Sequence, residues 1–204
     1  MVAGKSKNAS KSKNESKSKN RFKIKVVNMV ANANLYCNDL ELMDLAISLE
    51  DSTYEPEQFP ALIYKPEDVK NLKPSFLIFK SGKIIIAAAK SKEDVYLAVD
   101  HVIKKLEELG IKMRRKPDVK INNVVASADL GSKIDVDMTA LMLPNVEYEP
   151  EVFPGLVWKL PDINATFLMF NSGKIICAGL REASMLEGAI SRLYDNLKDA
   201  GVLK

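Results

Sequence analysis

Few residues of this 204-residue chain could carry covalent or acid–base chemistry. His101 is the only histidine and falls within a helical pattern, while Cys37 and Cys177 lie far apart without a paired base. We find no Gly-rich phosphate loop and no Cys/His spacing typical of a metal site. The sequence therefore predicts no catalytic residue, metal or cofactor. Its recurring Phe, Asn, Ser and Lys residues favour a binding function instead.

Composition and charge predict a soluble body with a basic arm. Hydrophobic residues make up 47% of the chain and charged residues 28%, and no uncharged run approaches the roughly 18–20 residues of a membrane span. Residues 1–25 hold nine lysines and arginines against one glutamate, a net +8 that leaves −5 for the rest. Residues 1–20, rich in Lys, Ser and Asn, are predicted to be disordered. They could serve as a solubilising arm or as a non-specific grip on nucleic acid.

Two sequence blocks occur twice. The block Tyr-Glu-Pro-Glu-x-Phe-Pro at 54–60 returns at 148–154, and Leu-x-Phe-x-Ser-Gly-Lys at 77–83 returns at 168–174, with offsets of 94 and 91. The difference predicts three extra residues in the first copy, in a turn around 66–74. Two copies of about 90 residues are too few and too long for a solenoid. We therefore predict two fused pseudo-symmetric repeats, 21–115 and 116–204, after the tail.

Each repeat is expected to contain a strand, a helix, several short strands and a second helix. Residues 22–33 and 119–128 alternate as half-buried strands do. Asn38 or Asp39 is the expected cap of the first short helix, and Asp135 begins its counterpart. Short strands are expected near 60–65, 76–80 and 83–88. Ser91 with Asp94 resembles the capping box of a long helix, which ends at a glycine in both repeats.

Strand parity predicts a sheet with one uncovered face. Ile78, Ile84 and Ile86 share one face of a hairpin, whereas the other carries Leu77, Ile85 and further apolar residues. Both faces are largely apolar, yet two helices per repeat cover only one of them. An apolar surface sprinkled with Lys, Ser and Asn is typical of a binding platform.

The duplicated Tyr-Glu-Pro-Glu-x-Phe-Pro and Phe-x-Ser-Gly-Lys blocks, preceded by paired Asn-x-Val strands, resemble the TATA-box-binding protein family over about residues 22–204. The resemblance implies an α+β fold. In that family a pseudo-symmetric duplicated saddle has a curved antiparallel ten-stranded sheet with four helices on its convex face. The Glu-Pro-Glu form of both copies looks more archaeal than eukaryotic. The implied function is that of a general, non-enzymatic transcription initiation factor that binds and bends A·T-rich TATA-box promoter DNA through the minor groove.

The resemblance also assigns site residues by motif. The DNA-intercalating wedges would be Phe59, Phe79, Phe153 and Phe170. The minor-groove contacts would be Asn28, Asn123, Val30, Val125, Leu77, Leu168, Ile85 and Ile176. The phosphate contacts would be Lys65, Lys83, Lys90, Lys159, Lys174, Arg181, Ser81 and Ser172, although Lys90 and Arg181, near helix starts, could equally be solvated charges.

The partners implied are promoter DNA, the RNA polymerase pre-initiation complex and transcription factor B, for which Glu149, Glu151 and Val152 would form the docking surface. The cellular location would be the archaeal nucleoid in the cytoplasm, or the nucleus of a eukaryote, and the free protein could form a homodimer. One departure from the family is Ala88, which replaces a usual glycine. The alternative function is that of a divergent paralogue acting mainly as a protein-interaction module or regulator with weakened DNA specificity.

Overall fold

The computed structural model describes residues 21–37, 39–67 and 69–204. The basic arm 1–20 and the candidate cap Asn38 lie outside the described residues. Within the described residues, ten strands form the sheet: β1 (Lys25–Asn34), β2 (Ser52–Thr53), β3 (Ala61–Tyr64), β4 (Ser75–Phe79), β5 (Lys83–Ala89), β6 (Asp118–Asp129), β7 (Val146–Glu147), β8 (Leu156–Leu160), β9 (Ala165–Met169) and β10 (Lys174–Leu180). The α-helices are α1 (Leu42–Ser48), α2 (Lys92–Glu108), α3 (Val136–Met142) and α4 (Leu186–Asp199).

All ten strands belong to one antiparallel sheet in the order β2-β3-β4-β5-β1-β6-β10-β9-β8-β7. The order is palindromic about the central pair, β1 and β6, so each repeat builds one half of the sheet. Across this pair Asn28 faces Val125 and Val30 faces Asn123, as a pseudo-twofold axis requires. The predicted duplicated α+β saddle is confirmed.

One face of the sheet is buried under the helices. Ile78, Ile84 and Ile86 are at most 1% exposed, whereas their neighbours Leu77 and Ile85 are only half-buried. The same alternation recurs in β9 and β10. The parity prediction is therefore confirmed: the helices cover one side, and the opposite apolar side remains accessible.

The helix starts for which the sequence predicts a cap have that cap, with one exception. Ser91 and Asp94 form the predicted capping box, and the Asp135 carboxylate accepts from the backbone N–H of Met138 at 3.1 Å. The expected cap at Asp39 is wrong, because Asp39 adopts a left-handed backbone (φ +57°) and α1 follows Glu41 without a side-chain cap. The N–H of Leu40 instead donates to the carbonyl of Lys80, so the β4–β5 turn fixes this segment.

The first strand begins three residues later than the hydrophobic alternation indicates. Phe22 is buried and packs 5.5 Å from the ring of Tyr194 on α4. Arg21 stacks over the same tyrosine at 4.1 Å and forms an ion pair with Asp195. The chain therefore enters the described structure against the helices of the second repeat.

The three extra residues of the first repeat lie in the β3–β4 connection. Tyr64 pairs with Phe76 in the first repeat, and Trp158 pairs with Phe167 in the second. Eleven residues separate the first pair and eight separate the second, as the sequence offsets predict. The insertion leaves the strand registers of the two halves equivalent.

Candidate nucleic-acid interface

The uncovered face carries a symmetric apolar surface. Leu77 pairs with Ile85 across β4 and β5, and Leu168 pairs with Ile176 across β9 and β10. These four side chains are half-buried, as are Val30 and Val125 on the central strands. The structure thus places all six apolar residues singled out from the sequence on one face, where they form its shallow floor.

Two aromatic pairs border this floor. Phe59 lies 6.4 Å from Phe79, and Phe153 lies 6.0 Å from Phe170, with rings inclined at 62° and 67°. Phe59 and Phe153 are 40% and 39% exposed. An edge-to-face pair holds both rings without stacking them, so each pair presents apolar surface to a partner. The structure therefore brings the four predicted wedge residues together in two pairs. Their rings lie outside the hydrophobic core that the helices cover.

A glycine tightens the second aromatic pair. A Cβ atom at Gly155 would lie 2.6 Å from the ring of Phe153 and 3.0 Å from that of Phe170. The equivalent residue of the first repeat is Ala61, which is 1% exposed and fills this space. The first pair, which has a methyl group at this position, has the wider ring spacing of the two.

The two asparagine amides are held by β-bulges. The side-chain oxygen of Asn28 accepts from the N–H of Ala88 at 2.9 Å, and that of Asn123 accepts from the N–H of Gly179 at 2.8 Å. Register shifts in β1–β5 and β6–β10 mark the bulges. A backbone N–H can only donate, so each amide must direct its oxygen inward. Among the residues that the structure describes, neither NH₂ group has a hydrogen-bond acceptor, so both can donate to a ligand.

The first bulge is strained where the second is not. Ala88 has φ +69°, in the left-handed region, and its counterpart Gly179 has φ +99°. Glycine adopts such backbone without a Cβ clash, whereas alanine does so at a cost. The glycine-to-alanine departure in the first repeat therefore lies directly at the group that orients Asn28.

Replacing Ala88 with glycine is expected to raise the free energy of unfolding. A left-handed backbone costs an L-residue roughly 1–2 kcal/mol, and glycine removes this cost. Glycine also raises the conformational entropy of the unfolded chain, which offsets part of the effect, so the net gain in stability is about 1 kcal/mol. Urea denaturation measures it. Gly179→Ala is the matched control and should destabilise, because its Cβ would lie 2.4 Å from the Asn164 carbonyl oxygen. A loss in both variants would contradict this explanation.

The predicted phosphate contacts are all exposed but do not form one group. Ser81 and Lys83 lie at the β4–β5 turn, and Ser172 and Lys174 lie at the equivalent turn of the second repeat. Lys65 directly follows β3, and Lys159 is the last residue but one of β8. Lys159 forms an ion pair with Glu147 at 2.6 Å.

Arg181 and Lys90 lie apart from these residues. Arg181 lines a hollow of about 590 Å³ together with Met29 and Val95, two core residues on the helical side. The N–H of Lys90 donates to Asp94 at the start of α2.

Sequence reasoning missed a further pair of lysines on the uncovered face. Lys120 pairs with Asn32 across β1 and β6, and Lys25 pairs with Ser127. Lys120 lines a hollow of about 490 Å³ with Phe79 and Ile85. The two lysines are related by the offset of 95 that relates the two Asn-x-Val strands, so the repeat itself could have revealed them.

The three residues expected to bind a partner protein lie on one tight turn. The N–H groups of Val152 and Phe153 both donate to the carbonyl of Glu149 at 2.9 Å. Glu149 and Glu151 are exposed, and Val152 is 80% exposed. The first repeat forms the same turn at Glu55. The turn of the second repeat therefore presents two carboxylates and one exposed valine beside the Phe153–Phe170 pair.

The groups with possible catalytic chemistry lie elsewhere and are shielded. Burial raises the pKa of Cys177 to about 12 and also raises that of Cys37, so both remain thiols at neutral pH. His101 is hydrogen-bonded to the Tyr64 hydroxyl at 3.0 Å, and burial lowers its pKa. Within the described ranges, no three His, Cys, Asp or Glu side chains are grouped to hold a metal ion, and no helix is long and apolar enough to cross a membrane.

Comparisons with known proteins agree with this geometry. A family profile described as transcription factor TFIID, or TATA-binding protein, matches residues 23–109 and 118–200. The TATA-box-binding protein of Methanocaldococcus jannaschii is 41% identical over 176 residues, which cover 86% of this chain and 94% of that protein. TATA-box-binding protein E of Halobacterium salinarum is 41% identical over 88% of this chain and 96% of its own length.

The fold comparison gives the same result. The solved structure of Methanococcus jannaschii TBP superposes with a TM-score of 0.79 and 41% sequence identity, covering 86% of this chain and 98% of that one. Proteins of this family are non-enzymatic DNA-binding transcription factors. The chain belongs to the TATA-box-binding protein family and has the role of a general transcription factor.

Proposed function

We propose that this protein binds A·T-rich promoter DNA through the minor groove and bends it. The observation that carries the proposal is the uncovered sheet face, on which two phenylalanine pairs, each with one exposed ring, flank two amide donors of fixed orientation. A surface of this kind fits a groove that offers acceptors along its floor and base steps that can be opened.

The amides supply a preference for A·T pairs. In the minor groove A·T and T·A pairs both offer acceptors, whereas G·C adds the guanine amino group as a donor. The NH₂ groups of Asn28 and Asn123 match the acceptors. Leu77, Leu168 and their apolar neighbours leave no acceptor for a guanine amino group. Binding therefore depends on A·T content more than on the orientation of each pair.

The aromatic pairs supply the bend. An apolar wedge inserted at a base step replaces lost stacking with ring contacts, and proteins of this family are a known example of such kinking. Because the pairs are related by pseudo-twofold symmetry, two kinks are expected, one per repeat. The exposed lysines at the two hairpin turns then neutralise phosphates that the bend brings close.

The test is DNA bending by the unmodified protein. A short duplex with an A·T-rich centre and a dye at each end should show increased energy transfer when the protein is added at low salt. A duplex of the same length with a G·C centre should not. Binding to both duplexes without a change in dye separation would overturn the proposal.

We further propose that the turn at Glu149 recruits transcription factor B and, through it, the RNA polymerase pre-initiation complex in the archaeal nucleoid. The two carboxylates suit a basic partner surface and the exposed Val152 adds an apolar contact. These side chains leave the neighbouring Phe153 ring available to DNA.

Charge reversal at this turn is expected to separate the two activities. Glu149→Lys with Glu151→Lys should abolish the complex of protein, duplex and transcription factor B in a gel-shift assay, since two attractive contacts become repulsive. DNA binding should persist or strengthen. The matched control is Glu55→Lys with Glu57→Lys on the equivalent turn, which should retain the ternary complex. If both pairs abolish it, the docking surface is not confined to the second repeat.

A further inference from the structure

A strained tyrosine lies beside the segment that joins the two repeats. Tyr36 follows β1 and has φ +54°, a conformation that is an outlier for a bulky residue. Its N–H donates to the Asn34 side chain at 3.0 Å. The equivalent residue of the second repeat is Gly131, at φ +72° in the same turn, with its N–H bonded to Asp129 at 2.9 Å. The first repeat therefore retains a costly side chain where glycine suffices.

The tyrosine ring supports an arginine of the linker. The Arg115 guanidinium lies 3.6 Å above the centre of the Tyr36 ring, and the N–H of Arg114 donates to the Tyr36 carbonyl at 3.3 Å. A guanidinium stacked on an aromatic ring keeps its N–H groups in a plane directed away from the ring, where they can bind phosphate oxygens. Backbone strain retained around such a contact indicates a functional constraint.

Arg115 belongs to a dense group of cations, which we name the linker cluster: Lys112, Arg114, Arg115 and Lys116. All four are exposed. None forms an ion pair with any other residue in the described part of the chain. Four unpaired charges within five residues create a strong local positive potential.

The linker cluster lies at the edge of the proposed DNA-binding face. Asn34 pairs with Asp118 on one side and with Lys83 on the other, and the N–H of Leu35 donates to the Gly82 carbonyl. Asp118, two residues after Lys116, lines the same hollow as Lys83 and Lys120. Two residues span at most about 7 Å. The linker cluster therefore begins close to Lys83 and Lys120 and extends the row of cations at this edge.

The second repeat lacks this arrangement. Gly131 offers no ring. Asp129 pairs with Lys174 in the position where Asn34 pairs with Lys83 in the first repeat. Near this turn the Lys204 ammonium group forms an ion pair with Asp135 at 2.7 Å. In the described part of the chain, no aromatic ring supports a cation at this turn, so the two edges differ.

We infer that Tyr36 and the linker cluster form an additional phosphate-binding site, which contacts the duplex backbone beside the first repeat only. The inference rests on the proposed function, because it requires a duplex on the uncovered face. The site reads no bases. It strengthens binding and gives the two ends of a nearly symmetric saddle different affinities for the backbone.

The test is the salt dependence of binding to an A·T-rich duplex. Arg114→Ala with Lys116→Ala should make the slope of log affinity against log salt less steep by about 1.8, which is 0.9 for each lost phosphate contact. Between 50 and 200 mM salt the affinity of the unmodified protein should then fall about 10-fold more than that of the variant. The control, Lys104→Ala with Lys198→Ala, removes two exposed helix cations and should leave the slope unchanged.

A second variant separates this role from a structural one. Tyr36→Gly should relieve the left-handed strain and preserve or raise stability against urea, yet it should reduce the slope by about 0.9 because Arg115 loses its support. Replacing the duplex phosphates beside the first repeat with neutral methylphosphonates should lower the DNA affinity of the unmodified protein more than that of either variant.

Two outcomes overturn the inference. If the duplex is bound and bent but both variants keep the original slope, the site does not contact phosphate. If the slope is unchanged and only complexes with protein partners weaken, the cluster is a protein-docking surface. Failure of the unmodified protein to bend any A·T-rich duplex would instead reject the proposed function itself, and would be seen before the variants are compared.

Discussion

Replacing Phe153 and Phe170 together with alanine is expected to weaken binding to an A·T-rich duplex by between about 30-fold and 10⁴-fold, since each lost base–aromatic contact costs roughly 1–3 kcal/mol. One of the two kinks should disappear, so energy transfer between the ends of a dye-labelled duplex should fall to an intermediate value. Phe59→Ala with Phe79→Ala should produce the same intermediate bend from the other repeat.

Two controls make this result specific. Val152→Ala alters an 80%-exposed side chain next to Phe153 and should leave affinity and bend unchanged. Thermal unfolding of the double variant should change little, because the rings lie outside the helix-covered core. A double variant that bends the duplex as the unmodified protein does would show that the aromatic pairs do not enter base steps.

The second large effect is expected for Asn28→Asp and Asn123→Asp. A carboxylate can still accept the N–H of Ala88 or Gly179, so the bulges and the fold should persist. The substitution removes the NH₂ donors and places a negative charge against groove acceptors. Leaving such acceptors unpaired costs roughly 1–3 kcal/mol per site, so each variant should bind about 10- to 100-fold more weakly.

Asn32→Asp is the matched control for charge. Asn32 is exposed on the same strand and lines the hollow that contains Phe79. The new carboxylate should weaken binding through long-range repulsion, an effect that salt screens. The excess loss in Asn28→Asp should persist when titrations are repeated at higher salt. Equal losses in both variants at every salt concentration would mean that the Asn28 amide makes no specific contact.

Most of the fold followed from alternation and repetition in the sequence. Period-2 patterns around Ile78 and Ile84 identified the buried face, and the Ser-Gly turns separated its hairpins. The ends of elements were harder to predict. Phe22 continues the alternation but packs on α4. Asp39 has a typical capping side chain, but the next residue, Leu40, is held by the carbonyl of Lys80. Both outcomes depend on residues distant in sequence, which a local pattern does not contain.

The site was predictable in its residue types but not in its geometry. The motifs selected Asn28 and the four phenylalanines, yet the orientation of the amide depends on a bulge sixty residues away, at Ala88. The motifs likewise do not contain the spacing of the aromatic rings, which is 6.4 Å in the repeat with Ala61 and 6.0 Å in the repeat with Gly155. The linker cluster is visible in the sequence as a run of basic residues, but only the structure shows that the Arg115 guanidinium stacks on the Tyr36 ring.

The central pairing of β1 with β6 has a consequence for the history and stability of the chain. Each of these strands has one neighbour from its own repeat and one from the other, so a repeat on its own would expose an unpaired edge along its longest strand. Such an edge can be closed by an identical strand related by a twofold axis. An ancestor encoding a single repeat would have required self-association, and fusion then freed each half to diverge, as Tyr36 and Gly131 have done.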